Sequence, residues 1–269
     1  MLHVWNKWRS RMPAGVLALV VCTAGISCST GVKPGFVSGA FNSRSIVNGG
    51  LAVGFVVNRE GSPSLKAYER HLYTDQLASY ILGNNPQLKG KLDSYGYVSA
   101  RIGKPFSSFI NSFKMEGELS RRSVEQLKEA QLRRRFLMLV TILPVDEEIQ
   151  LPVEVEGVGG LINPEIEDYE DVRYQTGRLK VVHVQVYDTK TGSKVQDQLY
   201  SSDDGNILLA TERHGRRYTG NSLMGALANS VSNRISKSGN NHPPAPSETV
   251  TLNYIWERIA KSVPGATRS

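Results

Sequence analysis

Phe136-Leu137-Met138-Leu139-Val140-Thr141-Ile142-Leu143 is the segment on which the fold turns. It is a continuous apolar run bounded by Arg133-Arg134-Arg135 and Pro144. A run of this length with no polar alternation fits a strand buried on both faces, and such strands occur where helices cover both sides of a sheet. A second run of the same kind, Leu51 to Val57 (LAVGFVV), stands between Gly49-Gly50 and Asn58. After Ser62-Pro63, Leu65, Tyr68, Leu72, Leu77, Tyr80 and Ile81 recur at helical spacing up to Gly83-Asn84-Asn85-Pro86, a helix stop.

Downstream of the central run, Arg178 to Tyr187 alternates apolar and polar residues, turns through Asp188-Thr189-Lys190-Thr191-Gly192 and returns as Lys194 to Ser201. This pattern predicts a β-hairpin with a glycine-containing loop. Upstream, Tyr97 to Ile102 is expected as a further strand. Phe106, Phe109, Ile110 and Phe113, then Val124, Leu127 and Leu132 after a Ser120 cap, predict two helices or one helix broken near Gly117. Asn221 to Ile235, with Leu223, Leu227, Val231 and Ile235 every four residues, predicts a core-facing helix. The sum is an α+β or α/β fold, a mixed sheet covered by helices, in one domain.

The ends read differently. Positive charge (Lys7, Arg9, Arg11), then the apolar Ala14 to Gly25, then small residues, give the order of a secretory signal. The apolar run is shorter than the roughly 20 residues a spanning helix needs. The cut region Gly25-Ile26-Ser27-Cys28 resembles the lipobox of bacterial lipoproteins, with Gly25 where that family usually has Leu. The resemblance makes Cys28 the lipidation site and membrane lipid its partner. Ser29 in place of Asp implies the outer membrane, facing the periplasm. An ordinary signal cleaved near Ala24 or Ser27, leaving a soluble periplasmic protein, is the other reading.

The expected divisions are a lipoprotein signal peptide over 1–27, a lipidated N-terminus and flexible Gly/Ser/Asn-rich tether over 28–50, a globular domain over 51–241, and a Pro-rich linker with an amphipathic helix over 242–269. That helix carries Val250, Ile255, Trp256, Ile259 and Val263, and is expected to dock on its own domain or on a partner.

The 269 residues are 40% hydrophobic and 21% charged, enough to bury a core. The formal charge of +7 falls to about +4 once Lys7, Arg9 and Arg11 leave with the signal, too mild to argue for nucleic acid. The two cysteines, Cys22 and Cys28, both lie in the leader region, so the body has no thiolate for a nucleophile or zinc knuckle. His3, His71, His183, His214 and His242 form no H-x-H or HExxH pair. There is no G-x-S-x-G elbow, and Gly157 to Gly160 lacks the G-K-[ST] of a phosphate cradle. Ten carboxylates between Asp146 and Asp171 suggest an acidic loop; Glu165 to Asp171 lacks the spacing of a calcium loop. Arg121-Arg122, Arg133–Arg135 and Arg213–Arg217 are expected as solvated faces, the last in a loop. No catalytic, cofactor or metal residues are assigned.

The hairpin Leu179–Ser201, with Val186-Tyr187-Asp188-Thr189-Lys190-Thr191-Gly192 at its turn, resembles that of the TolB amino-terminal-domain-like and curli-secretion-channel-like lipoproteins. Leu51–Val57, the helix after it and Phe136–Ile142 match the core elements, and the resemblance spans about residues 50–235. Members include a secretion channel and an activator of peptidoglycan synthesis, so the resemblance implies no one activity. A non-enzymatic envelope scaffold or accessory protein acting through an envelope protein partner is expected. The alternative is an oligomeric outer-membrane channel subunit. The strand-like alternation of Ile149 to Val158 is broken by Pro152 and by carboxylates, which oppose a lipid-facing strand.

Overall fold

The computed structural model describes residues 32–159, 169–203, 209–218 and 242–266. Among them lie eight strands and six α-helices. In chain order these are β1 (Val32–Val37), α1 (Ser43–Gly49), β2 (Leu51–Asn58), α2 (Ala67–Asn84), β3 (Leu92–Asp93), α3 (Tyr95–Ile102), α4 (Phe106–Glu116), α5 (Arg121–Glu129), β4 (Phe136–Gln150), β5 (Glu154–Gly159), β6 (Tyr169–Asp188), β7 (Lys194–Ser201), β8 (Ala210–Tyr218) and α6 (Glu248–Ser262).

The sheet runs β1-β7-β6-β4-β2-β3. β2 is parallel to β3 and β4, and the other pairings are antiparallel, so the sheet is mixed as the sequence implies. Both continuous apolar runs are central. Phe136 to Thr141 of β4 and Leu51 to Val57 of β2 are buried, because helices cover both faces. On one face, Val53, Val56, Met138, Val140, Val182 and Val184 pack with Leu77 and Ile81 of α2 and with Leu252, Ile255, Trp256 and Ile259 of α6. On the other, Phe55, Leu137 and Leu139 pack with Val98 of α3, Phe106, Phe109 and Phe113 of α4, and Leu127 of α5. The C-terminal helix therefore docks at home, and residues 248–262 belong to the domain.

A bulge between Val53 and Phe55 switches which β2 residues face each layer. Gly54 sits in it because a Cβ there would lie 2.8 Å from Leu139 Cδ2 and 2.9 Å from Leu137 Cδ1. Phe55, turned to the α4 side, makes edge contacts with Phe106, Phe109 and Phe113 at centroid separations of 6.1, 6.0 and 5.3 Å.

Four expectations change. The Tyr97–Ile102 strand is helix α3, whose Val98 and Ile102, four apart, face the core. The tether over 28–50 is structured from Val32 onward. β1 pairs with β7, and α1 is capped by Asn42, whose Oδ1 accepts from the Ser45 amide at 3.0 Å, while Phe41 and Ile46 are buried. The described part of the acidic 146–171 stretch is largely strand, in β4, β5 and β6, and Arg213–Arg217 lies in β8. Cys28, Glu165 to Asp168 and the Asn221–Ile235 helix lie outside the described residues.

β6 serves two structures. Its second half pairs with β4 and β7 in the core. Its first half pairs with Asp146–Gln150 of β4 and with β5 on one side, and with β8 on the other, building a three-strand arm beyond the helices. The register breaks between Ile142 and Asp146, so a bulge at Leu143-Pro144-Val145 marks where core becomes arm.

Candidate functional site

The carboxyl end of β2 and the Leu143–Val145 bulge, where the core half of β4 ends, border a cleft of about 490 Å³. In open sheets containing parallel strands, ligands favour this edge, where loops diverge to opposite faces. Asn58, the Gly61–Leu65 loop, Glu69 and Tyr73 of α2, the Leu143–Val145 bulge, Asp146, Lys180 and Glu248 line it. Lys180 occupies a polar position on an alternating strand, yet its side chain is 7% exposed because α6 begins above it. Its Nζ lies 3.0 Å from Asp146 Oδ2 and 2.8 Å from Glu248 Oε1, and its amide donates to Ser202 Oγ at 2.9 Å. Burial pushes the Tyr73 phenol up from its ordinary pKa, and the charges of Glu248 and Glu69 push it the same way. With Glu69, Asp146 and Glu248 against one ammonium, the cleft is an acceptor-rich surface suited to amine or guanidinium groups.

The arginine run Arg133–Arg135, expected as a solvated face, fastens the opposite end of the sheet. Arg133 Nε and Arg134 Nε donate to Asp93 Oδ2 at 2.8 and 2.9 Å, and Arg134 Nη2 donates to Gly90 O at 2.7 Å. Asp93 has only 3% of its side chain exposed. Burial alone would raise its pKa, but the hydrogen bonds from Arg133 and Arg134 and their charges hold it below the ordinary carboxylate value. Arg135 Nε meets Asp188 Oδ2 at 2.9 Å. Asp188 Oδ1 also accepts from the Lys190 amide at 3.0 Å, and Thr189 Oγ1 donates to Arg134 O at 2.8 Å. The D-T-K-T-G turn thus performs a local structural task.

The histidines stay apart. His71 is 3.0 Å from Asp75 on α2. His183 pairs with Asp197, which also accepts from Lys194 Nζ at 2.5 Å, so the pair ends on a cation rather than on a nucleophile. His214 Nδ1 is 2.8 Å from Glu156 Oε2, and His242 Nδ1 is 3.0 Å from Gln175 O. Among the described residues no group of three His, Cys, Asp or Glu is placed to hold a metal ion, and no helix is long and apolar enough to cross a membrane.

Much of the described acidic stretch is paired across the arm. Arg178 Nη2 meets Glu148 Oε1 at 2.8 Å on one face, while Arg173 bonds Glu154 and approaches Glu156 and Glu212 at 3.5 and 3.6 Å on the other. Opposite charges face each other along the strands, which is how carboxylates that resemble a loop in sequence become a ladder. The His242–Pro246 segment crosses the arm, with Thr211 Oγ1 bonded to Pro244 O and His242 edge-on to Tyr174 at 5.4 Å.

No protein-family model matches the chain, and no curated protein matches it. Among solved structures it is similar to the lipoprotein GNA1162 from Neisseria meningitidis, at 13% identity and a TM-score of 0.23 over 70% of this chain and 99% of that one. It is also similar to the hypothetical protein CT253 from Chlamydia trachomatis, at 14% identity and a TM-score of 0.29 over 80% of this chain and 97% of that one. At these TM-scores the likenesses assign neither a fold nor a role to this chain. They do not reach the TolB-like or curli-channel-like domains that the hairpin resembles.

Proposed function

We propose that the chain is a lipid-anchored protein of the cell envelope, tethered through acylated Cys28 to the outer membrane and facing the periplasm. There it acts without catalysis, as a scaffold or accessory protein that holds an envelope protein partner. The observation that carries this reading is the position of Cys28. It follows a short apolar leader, it is the last cysteine in the chain, and it stands four residues before β1. A second acyl chain on the same residue converts marginal membrane binding into stable anchoring, since each buried methylene contributes about 0.8 kcal/mol. For the partner, the cleft beside Lys180 offers carboxylates to a basic side chain, and the arm offers β5 and β8, whose outer sides pair with no other strand among the described residues.

Intact-mass spectrometry and membrane fractionation of the protein made in a bacterial host test the anchor. A mature chain beginning at Cys28 with added acyl mass, absent in Cys28→Ser, is the expected result. An unmodified chain cut at another site overturns the anchor and leaves a soluble periplasmic domain.

A further inference from the structure

We infer that the outer edge of β1, with Phe36 and Val37, is the surface that rests on the phospholipid bilayer; this builds on the reading of Cys28 as the acylated residue. Val32 pairs with Tyr200, and Tyr200 with Val182 of β6, so the leash from Cys28 joins the sheet beside Val182, partway along β6. Three residues separate Cys28 from Val32, and the four steps between them reach at most about 14 Å. β6 has 20 residues. It extends from Val182 by about 40 Å along the arm and by about 20 Å through the core, at about 3.3 Å per residue.

With either end of β6 pointed at the bilayer, the leash is too short to keep that end out of the hydrocarbon. The arm carries Arg173, Arg178, Glu148 and Glu154, which such a region excludes. The long strand therefore lies close to the membrane plane. Of the flanks that can then face the lipid, the one bearing the leash is the β1 edge.

The side chains on that edge fit this placement. Six of the seven phenylalanines are buried, and Phe36 is 58% exposed with Val37 beside it at 46%. Among the described residues no strand pairs with the outer side of β1. The edge is also ill-suited to receive a strand from a second copy. Its register breaks between Lys33 and Phe36, and Pro34, inside that break, has no N–H to give. What the edge offers is apolar contact without a hydrogen-bonding ladder, which is what a headgroup boundary takes.

The test uses the acylated full-length protein carrying Phe36→Trp, reconstituted in phosphatidylethanolamine–phosphatidylglycerol vesicles containing doxyl-labelled lipid, with Met115→Trp as the comparison site. Acylation is checked by mass in the same preparation. Emission from the Phe36→Trp protein should fall relative to the parent, whose buried Trp256 supplies the baseline, as for a side chain about 5–10 Å into the headgroup boundary, while that of Met115→Trp stays unquenched. An acylated protein whose Trp at 36 is unquenched overturns the surface and leaves the anchor standing. Crosslinking of two copies through position 36 overturns it in favour of a dimer edge. A chain without acyl mass overturns both readings.

Discussion

Lys180 Nζ lies 2.8 Å from Glu248 Oε1, a contact that joins the base of the arm to the first turn of α6 across 68 residues of chain. The ammonium is almost wholly buried while its carboxylate partners are about half exposed. Water can therefore rescue the carboxylates but not the cation. A double-mutant cycle of Lys180→Met and Glu248→Gln, read by urea denaturation, should give a coupling of about 1 kcal/mol that persists at high salt. The exposed pair Lys261–Glu257, at the same 2.8 Å, should give a smaller coupling that salt removes.

Acid should destabilise the protein partly through the Asp93 cluster. The native Asp93 has a pKa below its unfolded value near 3.9, so its contribution is fully present above that value and is lost as pH falls through the native pKa. Asp197 is lowered too: burial opposes the shift, and hydrogen bonds from His183 and Lys194 overcome it. Thermal melts from neutral pH down to about pH 2 should therefore show stability falling steeply below about pH 4. Asp93→Asn should be less stable at neutral pH and should lose less than the parent over that acid range. Parallel curves for the two proteins would exclude Asp93 as a source of the acid slope.

Gly54→Ala places a methyl against Leu137 and Leu139, both fully buried, in a bulge that three phenylalanines depend on. A cost of about 1–3 kcal/mol is expected from overpacking, measured as a lower denaturation midpoint with unchanged slope.

Among the described residues Trp256 is the largest fully buried side chain, and its Nε1 has no hydrogen-bond partner. Trp256→Ala should cost about 3–5 kcal/mol, and Trp256→Phe much less, because the ring rather than the N–H supplies the contact. A chain stopped after residue 241 loses α6 and should show no cooperative unfolding transition.

The parts of this molecule legible from sequence are those where one force dominates. Leu51–Val57 and Phe136–Ile142 are buried on both faces, and the Asp188–Gly192 turn needs Gly192 at φ +71, so hydrophobic run and turn chemistry speak plainly. Tyr97–Ile102 misleads because Val98, Ala100 and Ile102 alternate with Ser99 and Arg101, whereas α3 needs only Val98 and Ile102 inside. The 146–171 stretch misleads for the opposite reason. Its strands are held by ion pairs between segments far apart in sequence, and a carboxylate does not announce the arginine across from it. The same holds for the cleft: Lys180 stands on the polar phase of its strand, and only the arrival of Glu248 encloses it. Ser29–Gly50 has a linker's composition, yet Phe41 and Ile46 suffice to pin it to the core.

Val32 finds its partner at Tyr200, and the core is closed only by α6, after residue 247. For a chain exported vectorially, as proposed above, the first described strand would wait for nearly the last. Topology of this kind is slow to assemble, because distant segments must meet before either is stabilised. On the proposed reading, delay of this sort would keep the precursor threadable through an export channel, and lipid attachment at Cys28 and completion of the sheet would be two separate events in time.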